Sequence, residues 1–397
     1  MAAQIQEQAN GQIRSFYASR GFWPLWASTG RIGPEADALL EFLRGADLDG
    51  LEPKSYKLDD LNQAIDAART GDPGAVARAE LELSRAFTRY VIDVRRPGRA
   101  KMEYADKRLK PQKLRPADVL RAAAMPKSFN DYVRSMGWMS PHYVRLRKLL
   151  ARIGDQGAGD EVVRRVRLNL DRARLLPGPW TSHIVVDAAS ARLWYYQTGK
   201  QEGTMRVVVG APETQTPMLA GYLRYAILNP YWNVPDYLAR KSIAPKILAG
   251  RTLASMKMEV LSDWSATPRT LAASAIDWTA VASGAQDVRL RQLPGKTNAM
   301  GRVKFLFPND HGIYLHDTPD KALFAKPTRH FSNGCIRLEK AAVLGKWLLG
   351  KPIAAASTTP EQDVALAVPV PVYLTYLTAT EAKRGLKMLD DVYGLDR

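Results

Sequence analysis

The chain has 397 residues, 46% of them hydrophobic, which is long enough for two or more domains with apolar cores. Its 57 Lys and Arg against 40 Asp and Glu leave a net charge of +17, and it contains no run of about 18 apolar residues that would predict a membrane-spanning helix. Basic residues cluster at residues 95–115 without a nucleic-acid-binding motif, so we expect no nucleic-acid partner. Two explanations of the cluster remain open: it attracts an acidic polymer, or it is a solvated face that keeps the protein soluble.

The first part of the chain has the hydrophobic period of helices. Asp72 and Pro73 combine a capping side chain with a residue suited to a first helical turn. Pro177-Gly-Pro ends the last helical segment. We predict a helical N-terminal domain over residues 1–178. Its helical segments are expected at residues 32–44, 71–91, 129–152 and 161–176.

From His183 the pattern becomes that of short, β-branched or aromatic strands separated by Gly, Thr and Pro. A helix is predicted at residues 341–349. Residues 236–292, which mix helical pieces with Ser, Thr and Asp turns, interrupt the strand series. The strands are expected at residues 184–187, 192–196, 205–209, 222–228, 303–307, 312–316 and 370–376.

These patterns predict an α+β chain with a helical domain followed by a mainly β domain. The predicted divisions are residues 1–178 for the helical domain, 179–380 for the β domain, 236–292 for a subdomain inserted in it, and 381–397 for a C-terminal extension.

Two short motifs carry the candidate chemistry: Tyr-Leu-His-Asp-Thr-Pro at residues 314–319 and Ser-Asn-Gly-Cys-Ile-Arg at residues 332–337. Cys335 is the only cysteine, so it cannot form an internal disulfide. His316 ends a predicted strand, 19 positions upstream (335 − 316). A thiol and a histidine that can deprotonate it suffice for covalent acyl transfer, and a nearby imidazole or imidazolium lowers the thiol pKa toward working pH. A lone cysteine can also be a small buried hydrophobic residue, so the pair alone leaves both interpretations open.

The two motifs resemble the active-site signature of the L,D-transpeptidases with a YkuD-type catalytic domain. In that family a His lies fewer than twenty residues before Ser/Thr-His-Gly-Cys. The resemblance implies that Cys335 is the nucleophile and His316 its general base. It also implies that Gly334 lets the backbone approach the substrate closely. Asn333 stands where most of the family has the second His, which bears on loop or substrate contacts rather than on the base.

The resemblance extends over most of the chain. The expected family segments occur in order, and two near the amino end resemble the scaffold domain of the large YcbB-like branch. That branch often carries a small peptidoglycan-binding module between its two domains, for which this chain has no room. The matching segments lie at residues 20–26, 49–53, 207–210, 216–217, 229–235, 293–301 and 303–309.

Supporting roles for neighbouring residues also follow from the resemblance. Arg337 would orient the cysteine loop or a substrate carboxylate, and Asp317 could orient the imidazole through its carbonyl. Backbone amides near Gly334 and Cys335 would hold the oxyanion, with Tyr314 as a further candidate donor. Each of three residues also has a structural alternative. Tyr314 could be an aromatic residue packed on a strand, Arg337 a member of a structural ion pair, and Ser332 a turn residue. The remaining candidates for substrate contacts are Ser332, Asn333 and Trp232.

The activity implied is that of a peptidoglycan L,D-transpeptidase. It would form 3→3 cross-links through a cysteine thioester and release D-alanine from a tetrapeptide donor. Residues 236–292 would form a capping subdomain, or lid, over the active-site groove. The alternative is a surface segment that does not control access to the site. Two other functions stay open: an L,D-carboxypeptidase or endopeptidase using the same site, and a non-catalytic cell-wall scaffold.

We expect no cofactor and no metal, because the five histidines and one cysteine lack metal-ligand spacing. The implied partners are stem peptides (tetrapeptide donor and diamino-acid acceptor), carbapenem-type β-lactams as covalent inhibitors, and cell-wall synthesis proteins. The first residues lack the basic start and apolar core of a signal peptide. The resemblance favours a periplasmic protein whose export signal has been removed, in free or inner-membrane-associated form.

Overall fold

The structure, a computed structural model, describes residues 1–353, 359–382 and 385–396. No helix among these residues combines the length and the apolar character that crossing a membrane requires. The N-terminal part is helical, as the sequence predicts, with two short strands and one more strand in the basic segment. Its elements are α1 (Ala2–Gln8), α2 (Arg14–Ser19), β1 (Ala27–Ser28), β2 (Arg31–Ile32), α3 (Glu35–Arg44), α4 (Leu58–Ala68), α5 (Pro73–Arg95), β3 (Glu103–Tyr104), α6 (Pro116–Ala124), α7 (Phe129–Arg134), α8 (Pro141–Asp155) and α9 (Asp160–Arg174).

Helix α5 is the centre of the helical domain. It starts where Asp72 and Pro73 predict, because the Asp72 carboxylate accepts a hydrogen bond of 2.7 Å from the Ala75 amide. Its buried face packs aromatic rings, including Phe87 edge-on to Trp26 at a centroid distance of 5.5 Å. Glu80 is fully buried on the same helix and accepts hydrogen bonds from the amides of residues 25–27. The helix therefore holds the Trp26 loop by both apolar and polar contacts.

The rest of the chain is mainly β, which confirms the predicted fold class. The strands expected at residues 184–187 and 370–376 are present, and the helix predicted at residues 341–349 is α13. The elements are β4 (His183–Asp187), β5 (Arg192–Gln197), β6 (Lys200–Gly210), β7 (Leu219–Leu228), β8 (Trp232–Asn233), α10 (Asp236–Leu238), α11 (Ala244–Leu248), β9 (Met258–Leu261), β10 (Thr270–Leu271), α12 (Trp278–Ser283), β11 (Arg289–Gln292), β12 (Val303–Leu306), β13 (Tyr314–His316), β14 (His330–Ser332), β15 (Ile336–Leu338), α13 (Ala341–Leu349), β16 (Gln362–Thr375), β17 (Ala379–Ala382) and β18 (Gly385–Met388).

The main sheet closes on itself. Its strands run in the order β12-β13-β15-β6-β5-β4-β16-β7, and the pairing of β12 with β7 completes the ring. Closure removes the free edges that a sheet of this size would otherwise expose. The apolar core of the ring includes Phe305, Leu315 and Ile336, all fully buried. Strand β13 lies between β12 and β15 in this ring, which fixes the position of the His316 motif relative to the Cys335 motif.

The basic segment joins the two domains. Strand β3, which lies within it, pairs in parallel with β7 of the ring. Arg224 of β7 contacts Asp106 at 3.1 Å, and Arg108 is bonded to the same carboxylate. Part of the basic cluster therefore has partners inside the molecule, and its strand connects the helical domain to the sheet.

The segment between β7 and β12 forms a subdomain with a core of its own. Its four strands are ordered β10-β9-β11-β8, and Ala239–Ile243 is a turn of π-helix. Val260, Val281 and Leu290 are among the residues buried in its core. Because this core is separate from that of the ring, the subdomain is a distinct packing unit.

Candidate active site

The two sequence motifs meet because β13 and β15 pair in parallel. Leu315 lies opposite Ile336 and His316 opposite Arg337. Leu315 and Ile336 point into the apolar core of the ring. Since alternate residues of a strand face opposite sides, Tyr314 and His316 face away from the core. Cys335 and Arg337 flank Ile336 and share that outer face.

His316 is held in one tautomer. The residue is 3% exposed, and Nδ1 lies 2.6 Å from the carbonyl oxygen of Asp317. A carbonyl can only accept, so Nδ1 carries the proton in the neutral ring and Nε2 is left as the basic atom. Burial, reinforced by the nearby Arg337 charge, lowers the pKa of His316 to about 3. The imidazole is therefore neutral at physiological pH and able to accept a proton.

The Asp317 carboxylate has other partners. Its oxygens accept hydrogen bonds from the Arg302 amide at 3.0 Å and from the Lys321 ammonium at 2.6 Å. The Asp317 carbonyl is the hydrogen-bond partner of the imidazole. The residue therefore acts on His316 through its carbonyl and through the charge of its carboxylate, both of which raise the imidazole pKa, while its side chain also fixes the turn after β13.

Cys335 is a partly buried free thiol. Its Sγ lies 3.7 Å from the carbonyl oxygen of Gly312, to which it can donate. Burial raises the pKa of the Cys335 thiol, and the Tyr314 amide, the Tyr314 hydroxyl and the Arg337 charge counteract part of that rise. The site thus rests with a neutral thiol and a neutral imidazole. The sequence reasoning, in which a histidine lowers the thiol pKa, does not describe this resting state.

The cysteine loop has its own internal hydrogen bonds. Gly334 has φ = 102°, a conformation that side chains rarely adopt, and this explains the glycine. The Ser332 hydroxyl accepts from the Gly334 amide at 3.2 Å and donates to the Cys335 carbonyl. Because the Gly334 amide is used within the loop, the Cys335 amide is the better placed of the two to hold an oxyanion. Ser332 is 2% exposed, so its role here is to shape the loop.

The Gly334 carbonyl is fixed by Thr216. The Thr216 hydroxyl donates to the Gly334 oxygen at 2.7 Å and accepts from the Gly210 amide at 2.9 Å. In a planar trans peptide the carbonyl and the next amide point in opposite directions. Holding the Gly334 oxygen on the Thr216 side therefore directs the Cys335 amide to the other side of that peptide.

Arg337 lies beside the thiol without a carboxylate within 4 Å among the described residues. Burial lowers its pKa, with Asp320 the largest opposing charge. Asn333, at the tip of the loop, is exposed. Trp232 lies on β8 opposite Gln292 and packs against the core of the inserted subdomain. The structure therefore brings Arg337 to the thiol and places Trp232 against the core of the inserted subdomain.

Two tyrosines that the sequence did not indicate lie at the site. Tyr237, on α10 of the inserted subdomain, has its pKa raised by burial and then by the Cys335 thiolate charge, which places it close to the nucleophile. Tyr393 near the C-terminus donates to the Gly210 carbonyl at 2.7 Å, next to the Thr216 contact. Neither residue lies in a recognisable motif, so only the folded chain shows that they belong to the site.

Comparison with known families gives two matches along the chain. Residues 181–364 match the family model of the L,D-transpeptidase catalytic domain (YkuD), and residues 11–150 match that of a scaffold domain. The first match contains both sequence motifs. The two matches appear in the same order as the helical and β domains of the structure.

A curated relative covers a large part of the chain. It is named "Putative L,D-transpeptidase", comes from Haemophilus influenzae, and is 29% identical over 278 residues, 67% of this chain. The chain spans about half the length of that relative, 55%.

Solved structures were also compared. An L,D-transpeptidase from Mycobacterium smegmatis is 12% identical, covering 49% of this chain and 58% of its own, with a TM-score of 0.23. The LD transpeptidase LdtMt1 in complex with imipenem is 12% identical over the same shares, with a TM-score of 0.24. Likenesses at these TM-scores add nothing to the family matches.

Proposed function

We propose that this protein is a peptidoglycan L,D-transpeptidase that forms 3→3 cross-links through a thioester on Cys335, because residues 181–364 match the L,D-transpeptidase catalytic-domain model and follow a match to a scaffold domain. The observation that carries the proposal is the parallel pairing of β13 with β15. It sets a buried, tautomer-fixed His316 and a partly buried Cys335 on one face of the sheet.

The first half-reaction is acylation by the donor stem. The Cys335 thiol gives its proton to Nε2 of His316 as Sγ attacks the carbonyl of the third residue of a tetrapeptide. The Cys335 amide, with the Tyr314 hydroxyl as a further donor, would hold the developing oxyanion. When the intermediate collapses, the carbon–nitrogen bond breaks and the imidazolium protonates the departing D-alanine. A thioester remains on the enzyme.

The second half-reaction transfers the acyl group. A side-chain amine of another stem attacks the thioester carbonyl, and His316 takes a proton from that amine. The carbon–sulfur bond then breaks, the sulfur recovers its proton, and the product is a 3→3 link. A neutral imidazole is needed at the start of both halves, which agrees with the low pKa of His316.

Substrate carboxylates have a partner in Arg337. It is half-buried beside the thiol and forms no ion pair within the described residues. A guanidinium in that position matches the terminal carboxylate of a tetrapeptide donor, which would leave with D-alanine. Because the family's substrate lies outside the inner membrane, we place the protein in the periplasm.

The inserted subdomain bears on the choice between transfer and hydrolysis. Tyr237 brings it within electrostatic range of Cys335. A cap over the thioester would exclude water and let an amine take the acyl group. Without such exclusion, water would act as the acceptor and the same site would work as a carboxypeptidase or endopeptidase.

The proposal is tested by intact mass after incubation with a carbapenem. Cys335 is the only cysteine, so a gain of one drug mass in the wild type and none in Cys335→Ala locates the acyl group. Purified tetrapeptide, with and without a diamino-acid acceptor, then separates transfer from hydrolysis by product mass. A folded wild type that forms neither a drug adduct nor any peptide product would refute an enzymatic role and favour a wall-binding scaffold.

A further inference from the structure

The C-terminal segment packs against the strand end that holds the nucleophile loop. Tyr393 is 5% exposed, and its hydroxyl donates to the Gly210 carbonyl at 2.7 Å and accepts from the Thr216 amide at 3.3 Å. Its ring stacks on Tyr376 at 4.9 Å with an interplanar angle of 10°, and its amide donates to the Tyr376 hydroxyl at 2.9 Å. The ring, the hydroxyl and the backbone of Tyr393 are thus all held.

Two hydrogen-bonded steps lead from Tyr393 to the nucleophile. The tyrosine hydroxyl bonds to the backbone of Gly210 and Thr216. The Thr216 side chain in turn donates to the Gly334 carbonyl. That carbonyl sets the plane of the Gly334–Cys335 peptide and therefore the direction of the Cys335 amide.

The segment is also anchored on the far side, in the helical domain. The Asp396 carboxylate accepts from Arg165 at 2.6 Å and from Arg172 at 2.7 Å, both on α9. The Thr378 hydroxyl donates to it at 2.6 Å. The Arg172 and Asp396 side chains are 4% and 9% exposed, so this pairing is shielded from water. Tyr393 lies only three positions before this anchor.

We infer that Tyr393 is a positioning residue for the nucleophile. Through Thr216, its hydroxyl holds the Gly334–Cys335 peptide in the orientation that presents the Cys335 amide to an oxyanion. The C-terminal segment thereby couples the cysteine loop to α9 of the helical domain. The catalytic part of this inference rests on the proposed function, whereas the mechanical coupling does not.

The test compares Tyr393→Phe with wild type. Phenylalanine keeps the ring that stacks on Tyr376 and removes only the hydroxyl. Tyr56→Phe is the matched control, because Tyr56 is also 5% exposed and its hydroxyl donates to Asp93 at 3.0 Å in the helical domain. Each variant loses one tyrosine hydroxyl, but only the Tyr393 hydroxyl is connected to the cysteine loop.

Two rates and one exchange measurement are made on each protein. Carbapenem acylation requires a stabilised oxyanion, whereas iodoacetamide alkylation requires only the Cys335 thiolate. We expect Tyr393→Phe to lower the ratio of acylation to alkylation by about ten-fold, since small displacements of aligned groups are costly. Amide hydrogen exchange of the peptide containing residues 332–336 should become faster. Tyr56→Phe should leave both readouts at the wild-type values.

The possible outcomes test the catalytic role of Tyr393 and its mechanical coupling to the cysteine loop separately. If Tyr393→Phe leaves the ratio within about two-fold of wild type and the exchange unchanged, the inference is wrong. If Tyr56→Phe shifts both readouts equally, the effect is general loss of stability and the inference is also wrong. If wild type is alkylated but never acylated, the proposed function fails, and the exchange measurement alone decides whether Tyr393 holds the loop.

Discussion

The resting protonation state of Cys335 can be tested by changing pH. Burial raises the pKa of its thiol above the ordinary value of 9.0. At pH 7 the thiolate would therefore be less than about 1% of the population. Since only the thiolate reacts with iodoacetamide, the alkylation rate should rise roughly ten-fold per pH unit between about pH 6.5 and 8.5, without a plateau.

Acylation should respond differently to pH. Its starting state is the neutral thiol together with a neutral imidazole, and the pKa of His316 is lowered to about 3. That state dominates from well above pH 3 up to the thiol pKa. Carbapenem acylation, followed by intact mass, should therefore stay nearly constant over the range in which alkylation rises about a hundred-fold.

Tyr314 provides the matched perturbation. Its hydroxyl and amide both favour the Cys335 thiolate. Tyr314→Phe removes the hydroxyl alone, and a hydrogen bond to a charged group is worth about 1.5–3 kcal/mol, so alkylation at pH 8 should slow by roughly ten- to a hundred-fold. An alkylation plateau below pH 7, or an inflection of acylation near pH 6.5, would show a resting thiolate–imidazolium pair and refute this reasoning.

Three further predictions concern stability and the loop. In Gly334→Ala the added Cβ meets no atom closer than 3.6 Å, but the positive φ should lower the free energy of unfolding by about 1–2 kcal/mol and slow acylation. An unchanged melting temperature and an unchanged acylation rate would contradict this backbone strain. Asp396→Asn leaves Arg165 and Arg172 without their carboxylate and should lower the free energy of unfolding in urea by about 3 kcal/mol. An unchanged midpoint of urea unfolding would show that the protein does not need this anchor. Burial raises the pKa of Glu80 to about 7 from 4.5, so the folded state binds the proton more tightly. Stability should fall by roughly 3 kcal/mol as pH rises from 4.5 through 7, and Glu80→Gln should lack that slope.

The sequence was most informative where neighbouring residues decide the outcome. The change from helical to strand-like period separated the two domains, and Asp72 with Pro73 marked the start of α5. The motifs around His316 and Cys335 indicated the family, which the match over residues 181–364 supports. These features depend on local spacing and on side-chain chemistry, which can be read along the chain.

Other features depend on which distant segments meet. The pairing of β3 with β7, the approach of Tyr237 from the inserted subdomain and the contact of Tyr393 with Gly210 all join residues far apart in the chain. The use of the Gly334 amide by Ser332 depends on the backbone angles of a loop. No periodicity or motif predicts such contacts, because each requires the rest of the fold to be in place.

The protonation states of the catalytic pair belong to this second group. His and Cys in sequence suggested a histidine that lowers the thiol pKa, but the structure buries both groups and moves each pKa toward the neutral form. Desolvation depends on everything that surrounds a group, whereas a motif contains only its neighbours in the chain. The sequence by itself determined which residues could react, and the tertiary structure decided in which charge state they rest.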